Sequence, residues 1–135
     1  MVDVALLTRL REKGRPLRLL YVEDESDLRR EVGYFLEKIF GTVDYAANGR
    51  EGLDLFRRHR YDAILTDLQM PLLDGVSMLE TMKAESPSLP PVVVMTAHRN
   101  ENQLREIADL ILIKPVEMDA LVQVLDRIID GPVSR

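Results

Sequence analysis

Four groups of side chains in this sequence could do chemistry together. Glu23, Asp24 and Glu25 follow one short apolar run, Asp67 follows another, Thr96 closes a third, and Lys114-Pro115 follows a fourth. Carboxylates a few ångströms apart repel by about 1 kcal/mol per pair in water and ~4 kcal/mol at an effective dielectric of 20. Such a cluster either holds a proton or binds a hard cation. Oxygen-only ligands without His or Cys favour Mg²⁺, or Mn²⁺ as a close substitute. Lys114 would set a positive charge opposite the metal, and Thr96 a hydroxyl donor. A metal, an ammonium and a hydroxyl around one carboxylate are what phosphoryl transfer onto that carboxylate requires, because the work there is positioning and charge neutralisation. Each group alone has a plainer reading. An acidic pair after a strand is usually a solvated loop, a lone Asp a helix cap, and Lys-Pro a turn.

The elements that must bring these groups together are legible in the apolar pattern. Leu17–Val22, Thr42–Ala46, Ala63–Thr66, Val92–Thr96 and Leu110–Ile113 read as five strands, three of them with too little alternation to face water on either side. The stretches between them read as helices. Leu28, Val32, Phe35, Leu36 and Ile39 share one helical face, with Ser26 as the expected cap and Asp27 as its dipole partner. Asn48 to Glu51 resembles a capping box, and Met118 to Ile128 carries a last amphipathic helix that ends before Gly131-Pro132. Alternating strands and helices predict a parallel five-stranded sheet in a three-layer α/β/α domain, with ligands at the carboxyl ends of the strands where strand order reverses. All four chemical groups then share one edge.

Composition narrows the rest. The 135 residues carry 18 Lys+Arg and 23 Asp+Glu, a formal net charge of −5, with 46% hydrophobic and 30% charged residues. That is a globular domain without a basic character suited to general nucleic-acid binding. With no Cys there is no disulfide, thiolate metal site or Cys nucleophile. The absence of an apolar stretch near 18 residues, and of a secretory leader pattern, predicts a cytoplasmic protein with no membrane span. Residues 1–16 form an N-terminal extension read as a short helix, either frayed, packed on the domain's own surface, or serving as a dimer or partner contact. The α/β domain takes residues 17–130, and 131–135 is a tail. The remainder leaves no room for an output domain, so this reading expects either signalling through the domain's own surface or one domain of a longer regulator.

The segments LLYVEDE, YDAILTDLQMPLLDG, VVVMTAH and LILIKP resemble the signature blocks of receiver domains of two-component response regulators, over roughly residues 17–130. The resemblance implies a flavodoxin-like (βα)5 fold. It implies that Asp67 accepts a phosphoryl group from a phosphohistidine of a sensor histidine kinase or phosphotransfer protein. Glu23, Asp24, Asp67 and the backbone carbonyl of Gln69 would hold Mg²⁺, Lys114 would pair with the phosphoryl oxygens, Thr96 would move to bond them, and Pro115 would follow a cis peptide. Pro71, Asp74 and Gly75 would shape the loop after Asp67. Gln69 and His98 occupy positions that tune phosphoryl lifetime.

Three positions depart from the family pattern. Ile111 stands at the switch position where an aromatic side chain is usual. The Thr96-to-Lys114 stretch is short by roughly one helical turn, so the fourth-helix region should be shortened. Val116 replaces a common aromatic. The downstream protein target is unknown, and a homodimer is compatible with this reading. The implied protein is a phosphoacceptor, not a turnover enzyme. The alternatives are a phosphorylation-independent interaction module on the same fold, or an Asp-nucleophile phosphohydrolase. The latter is disfavoured because Gln69 stands where such enzymes need a second Asp. A flavin-binding module shares the architecture, but the acidic edge would repel the cofactor's phosphate.

Overall fold

Runs of Val, Ile and Leu with no polar interruption can only be strands if both their faces are covered. That is how the computed structural model, which describes residues 3–97 and 104–130, arranges them. Five parallel strands, β1 (Arg18–Val22), β2 (Thr42–Ala46), β3 (Ala63–Asp67), β4 (Val92–Thr96) and β5 (Leu110–Ile113), form one sheet in the order β2-β1-β3-β4-β5. Every residue of β3 and β4 is buried, whereas edge strand β2 is half-exposed. Order reverses between β1 and β3, so the cleft outside their carboxyl ends is the natural ligand position.

The helices are α1 (Val4–Gly14), α2 (Ser26–Leu36), α3 (Gly49–Arg58), α4 (Gly75–Glu85), α5 (Leu104–Ile107) and α6 (Met118–Ile129). Leu19, Tyr21 and Leu65 project into one core layer under α1, α2 and α6, while Leu20, Val22 and Ile64 project into the other under α3 and α4. The capping box is present: Asn48 accepts from the Glu51 amide at 2.9 Å, and Glu51 accepts from the Ala47 amide at 2.9 Å. The start of α2 differs from the sequence reading. Glu25 is the N-cap, without a side-chain cap bond, and Ser26 is already helical. The Glu25 amide points instead at the Glu23 carboxylate. Among the described residues, the fourth helix of the βα series, α5, spans four residues. His98 and the 131–135 tail lie outside the described residues.

The extension is docked on the domain itself. Asp3 caps α1 by accepting from the Ala5 amide, Leu10 is fully buried, Arg9 pairs with Asp126 of α6 and with Asp130 just beyond it, and Lys13 pairs with Asp130. Gly14 is the last residue of α1. It is required for space, since a Cβ there would lie 2.3 Å from the Ile39 carbonyl oxygen. Leu10 shares its core layer with Leu36, Ile39 and Leu125. Leu10→Ala is therefore expected to destabilise the whole domain by about 2–5 kcal/mol in urea unfolding. A change within ~0.5 kcal/mol would show that α1 contributes nothing to the fold.

Candidate functional site

Strand continuity places the acidic groups. The Glu23 amide donates to the Ala46 carbonyl at 2.9 Å, which carries the β1 ladder one residue beyond the strand and turns the Glu23 side chain in, fully buried. Its Oε2 accepts from the Glu25 amide at 3.2 Å, and Arg29 of α2 donates to its backbone carbonyl at 2.6 Å. Asp24 is exposed at the rim. Asp67 ends β3 and is 6% exposed. Its Oδ1 accepts from the Leu68 amide at 2.8 Å, and its Oδ2 lies 3.0 Å from Lys114 Nζ. The same ammonium lies 3.7 Å from Glu23 Oε1.

Lys114 is anchored at the end of β5. Its amide donates to the Thr96 carbonyl at 2.8 Å, tying the ends of β5 and β4, and the Lys114–Pro115 bond is cis. Thr96 is buried and lines the same small cavity as Asp67, Leu68, Gln69, Ala97 and Lys114. Gln69 is exposed at its mouth. Ile111 pairs with Val94 and packs, half-buried, against the α3/α4 layer. The structure thus brings Glu23, Asp24, Asp67, Gln69, Thr96 and Lys114 to one edge, with Pro115 beside them.

The loop after Asp67 explains the DLQMPLLDG block. Asp74 caps α4 by accepting from the Ser77 amide, and Gly75 donates to the Leu68 carbonyl at 2.7 Å. A Cβ on Gly75 would lie 2.4 Å from the Asp67 carbonyl oxygen, so the glycine lets the helix start directly beneath the acidic residue. Two features had no clear sequence signal. Arg29 reaches the Glu23 backbone from a helix that reads only as amphipathic. Leu72 has φ 68° and is 71% exposed, at the centre of a γ-turn closed by the Leu73 amide on the Pro71 carbonyl. That left-handed conformation costs a leucine about 1–2 kcal/mol.

Carboxylate oxygens of Glu23, Asp24 and Asp67 all lie within 4.8 Å of one another. Burial, and then the neighbouring Asp67 charge, push the Glu23 carboxyl up to about 7. For Lys114, burial opposes the charge, but the bond to Asp67 and the fields of Asp67, Glu23 and Asp24 outweigh it and raise the ammonium above its usual range. One ammonium against three carboxylates leaves a negative excess. Glu23 Oε1 is buried with no hydrogen-bond partner. All-oxygen donors, excess negative charge and a buried acceptor left unsatisfied fit a hard divalent cation.

A pH dependence follows. Above pH 4.5 the unfolded chain ionises Glu23 while the folded chain keeps the proton, so the cation-free fold loses stability as pH climbs to about 7. A cation ligated by Glu23 would have to displace that proton. Mg²⁺ affinity measured by calorimetry is therefore expected to rise roughly tenfold between pH 6 and pH 8 and then level off. Equal affinity at both values would contradict this.

The family model described as response regulator receiver domain matches residues 19–126. The chain is 31% identical over 122 residues to the transcriptional regulatory protein GlrR of Escherichia coli (strain K12), covering 83% of this chain and 26% of that protein. It thus spans about a quarter of that relative's length. Among solved structures it resembles the chemotaxis response regulator CheY4 of Vibrio cholerae, with 26% identity, a TM-score of 0.77 and coverage of 83% of this chain and 98% of that one. It also resembles the response regulator TrrA of Thermotoga maritima in complex with Mg²⁺-BeF, with 25% identity, a TM-score of 0.73 and the same coverage. No helix among the described residues is long and apolar enough to cross a membrane. Because the matched span runs from β1 into α6 and takes in every site-bearing strand end, the chain belongs to the family of response regulator receiver domains of two-component signalling.

Proposed function

We propose that this receiver domain takes a phosphoryl group onto Asp67 from a phosphohistidine of a sensor histidine kinase or phosphotransfer protein, with Mg²⁺ or Mn²⁺ required. The observation that carries this reading is Asp67 Oδ2 at 3.0 Å from Lys114 Nζ, on the strand end where the Glu23 and Asp24 carboxylates converge. A carboxylate oxygen of Asp67 forms the O–P bond as the N–P bond of the donor breaks. The bonding pair returns to the imidazole, which takes a proton from water.

The Leu68 amide fixes the Asp67 carboxylate, so the attacking group is oriented before the donor arrives. Lys114 already faces that carboxylate and needs only a small adjustment to meet a phosphoryl oxygen. Thr96, in the same cavity, offers a hydroxyl to another. When bound, the divalent cation neutralises charge on the transferring group. Glu23, Asp24, Asp67 and the Gln69 backbone carbonyl are the ligands assigned to it. His98 and Gln69 are assigned to tuning attack by water on the acyl phosphate.

The domain acts in the cytoplasm as a switch for a downstream protein, as a phosphoacceptor and not a turnover enzyme. Ile111 has no ring to swing, so the response to phosphorylation travels by Thr96 and its loop and not by an aromatic rotamer. The test is Mg²⁺-dependent incorporation of phosphate from a small phosphodonor. Equal labelling in EDTA, or labelling absent with Mg²⁺ present, would overturn the reading.

A further inference from the structure

Two buried oxygens on the same face of β1 lack hydrogen-bond partners. One is the phenolic oxygen of Tyr21 and the other is Oε1 of Glu23; both residues have no solvent exposure. Native interiors leave few polar atoms in this state, and an orphan donor and an orphan acceptor two residues apart on one strand face are groups that a single bridging water could satisfy. Tyr21 and Glu23 are two residues apart on extended backbone, so their Cα atoms are separated by roughly 6.6 Å. One water spans about 5.5 Å between the two oxygens it joins.

The Tyr21 ring meets Tyr45 of β2 edge-on at 6.1 Å, and Tyr45 is itself bonded to Glu37, so that neighbour has no need of the Tyr21 hydroxyl. Burial, and then the Glu23 and Asp67 charges, raise the Tyr21 phenol far above its ordinary range, with Arg29 opposing. A phenol carries its proton at neutral pH, so the hydroxyl is a donor. Through Oε2 the Glu23 carboxylate accepts from the Glu25 amide, and the Lys114 ammonium lies 3.7 Å from Oε1.

We propose that one buried water joins the Tyr21 hydroxyl to Glu23 Oε1, and that Tyr21 is thereby a positioning residue that fixes the Glu23 carboxylate for the divalent cation. This rests on the cation-site reading above. A hydroxyl behind a metal-binding carboxylate restricts the carboxylate's rotation, and losing such a partner typically weakens metal affinity 10–100-fold. Tyr21 touches neither donor nor phosphoryl group. Its removal acts on how much cation is needed and not on the rate once the site is full.

Tyr21→Phe deletes only the oxygen. Calorimetric Mg²⁺ titration of wild type, Tyr21→Phe and Tyr45→Phe is expected to give roughly tenfold weaker binding for Tyr21→Phe and unchanged binding for Tyr45→Phe. In EDTA, Tyr21→Phe is expected to melt as a single cooperative transition no more than a few degrees below wild type, the cost of one lost hydrogen bond. In labelling by a small phosphodonor, the Mg²⁺ concentration for half-maximal rate should rise about tenfold in Tyr21→Phe, with the plateau rate unchanged. Wild-type affinity in Tyr21→Phe, or equal weakening in both variants, would overturn the proposal and leave the cation site standing. Absence of Mg²⁺ binding by wild type would instead overturn the cation site. A high-resolution structure of the metal-free wild type should show a water within hydrogen-bond distance of both oxygens, and a dry gap would overturn the bridge even if the variant failed to fold.

Discussion

Asp67→Asn is expected to lower phosphate incorporation from a small phosphodonor by roughly a thousandfold or more, because the amide lacks the nucleophilic oxygen. The substitution keeps the shape of the side chain, and the amide oxygen can still accept from the Leu68 amide as Oδ1 does. It removes one negative charge from a buried pair, so Glu23 loses its second-largest upward influence and its carboxyl should fall from about 7 toward the usual carboxylate range. The fold should survive: relief of the Glu23–Asp67 repulsion offsets the loss of the Lys114 pair. Labelling measured beside a melting curve separates the two effects. A folded Asp67→Asn protein that still labels at the wild-type rate would remove Asp67 from the role.

Lys114→Met should be the most damaging change on the cationic side. Lys114 is the ammonium that faces both buried carboxylates, at 3.0 Å from Asp67 and 3.7 Å from Glu23. Methionine keeps most of the stem volume but leaves the carboxylates uncompensated. Breaking a fully buried pair costs about 3–5 kcal/mol. Lys114 retains a quarter of its side-chain exposure, so a loss nearer about 2 kcal/mol is expected in urea unfolding in EDTA. Mg²⁺ should restore more stability to Lys114→Met than to wild type, because the variant's site carries more uncompensated negative charge. Labelling should slow by about 10²-fold, the usual cost of removing one preorganised charge from a transferring group. Equal unfolding free energies with and without Lys114 would contradict the electrostatic account of the site.

How much of this was legible in the sequence depended on whether the signal was local. The strands β3 and β4 are uninterrupted apolar runs, and burial of every residue in them follows from that pattern. Asp67 and Lys114 stand directly at strand ends, so a parallel sheet with its reversal beside β1 brings them to one edge without further information. The capping box at Asn48 is written in four consecutive residues. Contacts between distant segments were not legible. Leu10 looks the same in a frayed helix as in a docked one, since the partners Leu36, Ile39 and Leu125 that bury it come much later in the chain. Gly75 signals a turn, but that it makes room for the Asp67 carbonyl is visible only in three dimensions. The Pro71 to Gly75 stretch signals a loop, yet nothing about Leu72 marks it as the residue in the left-handed region. Ser26 is a good cap by type, but the Glu23 carboxylate fixes the preceding amide and moves the cap to Glu25.

The account turns on Asp67 as the residue that receives the phosphoryl group. The most direct measurement is a structure of the protein with Mg²⁺ and beryllofluoride, set beside one without them. The expected result is a beryllofluoride group on an Asp67 carboxylate oxygen, with Lys114 Nζ and the Thr96 hydroxyl turned to its fluorines and a cation held by Glu23, Asp24 and Asp67. Beryllofluoride bound elsewhere, or Asp67 unmodified and still paired with Lys114 at saturating Mg²⁺ and beryllofluoride, would contradict it.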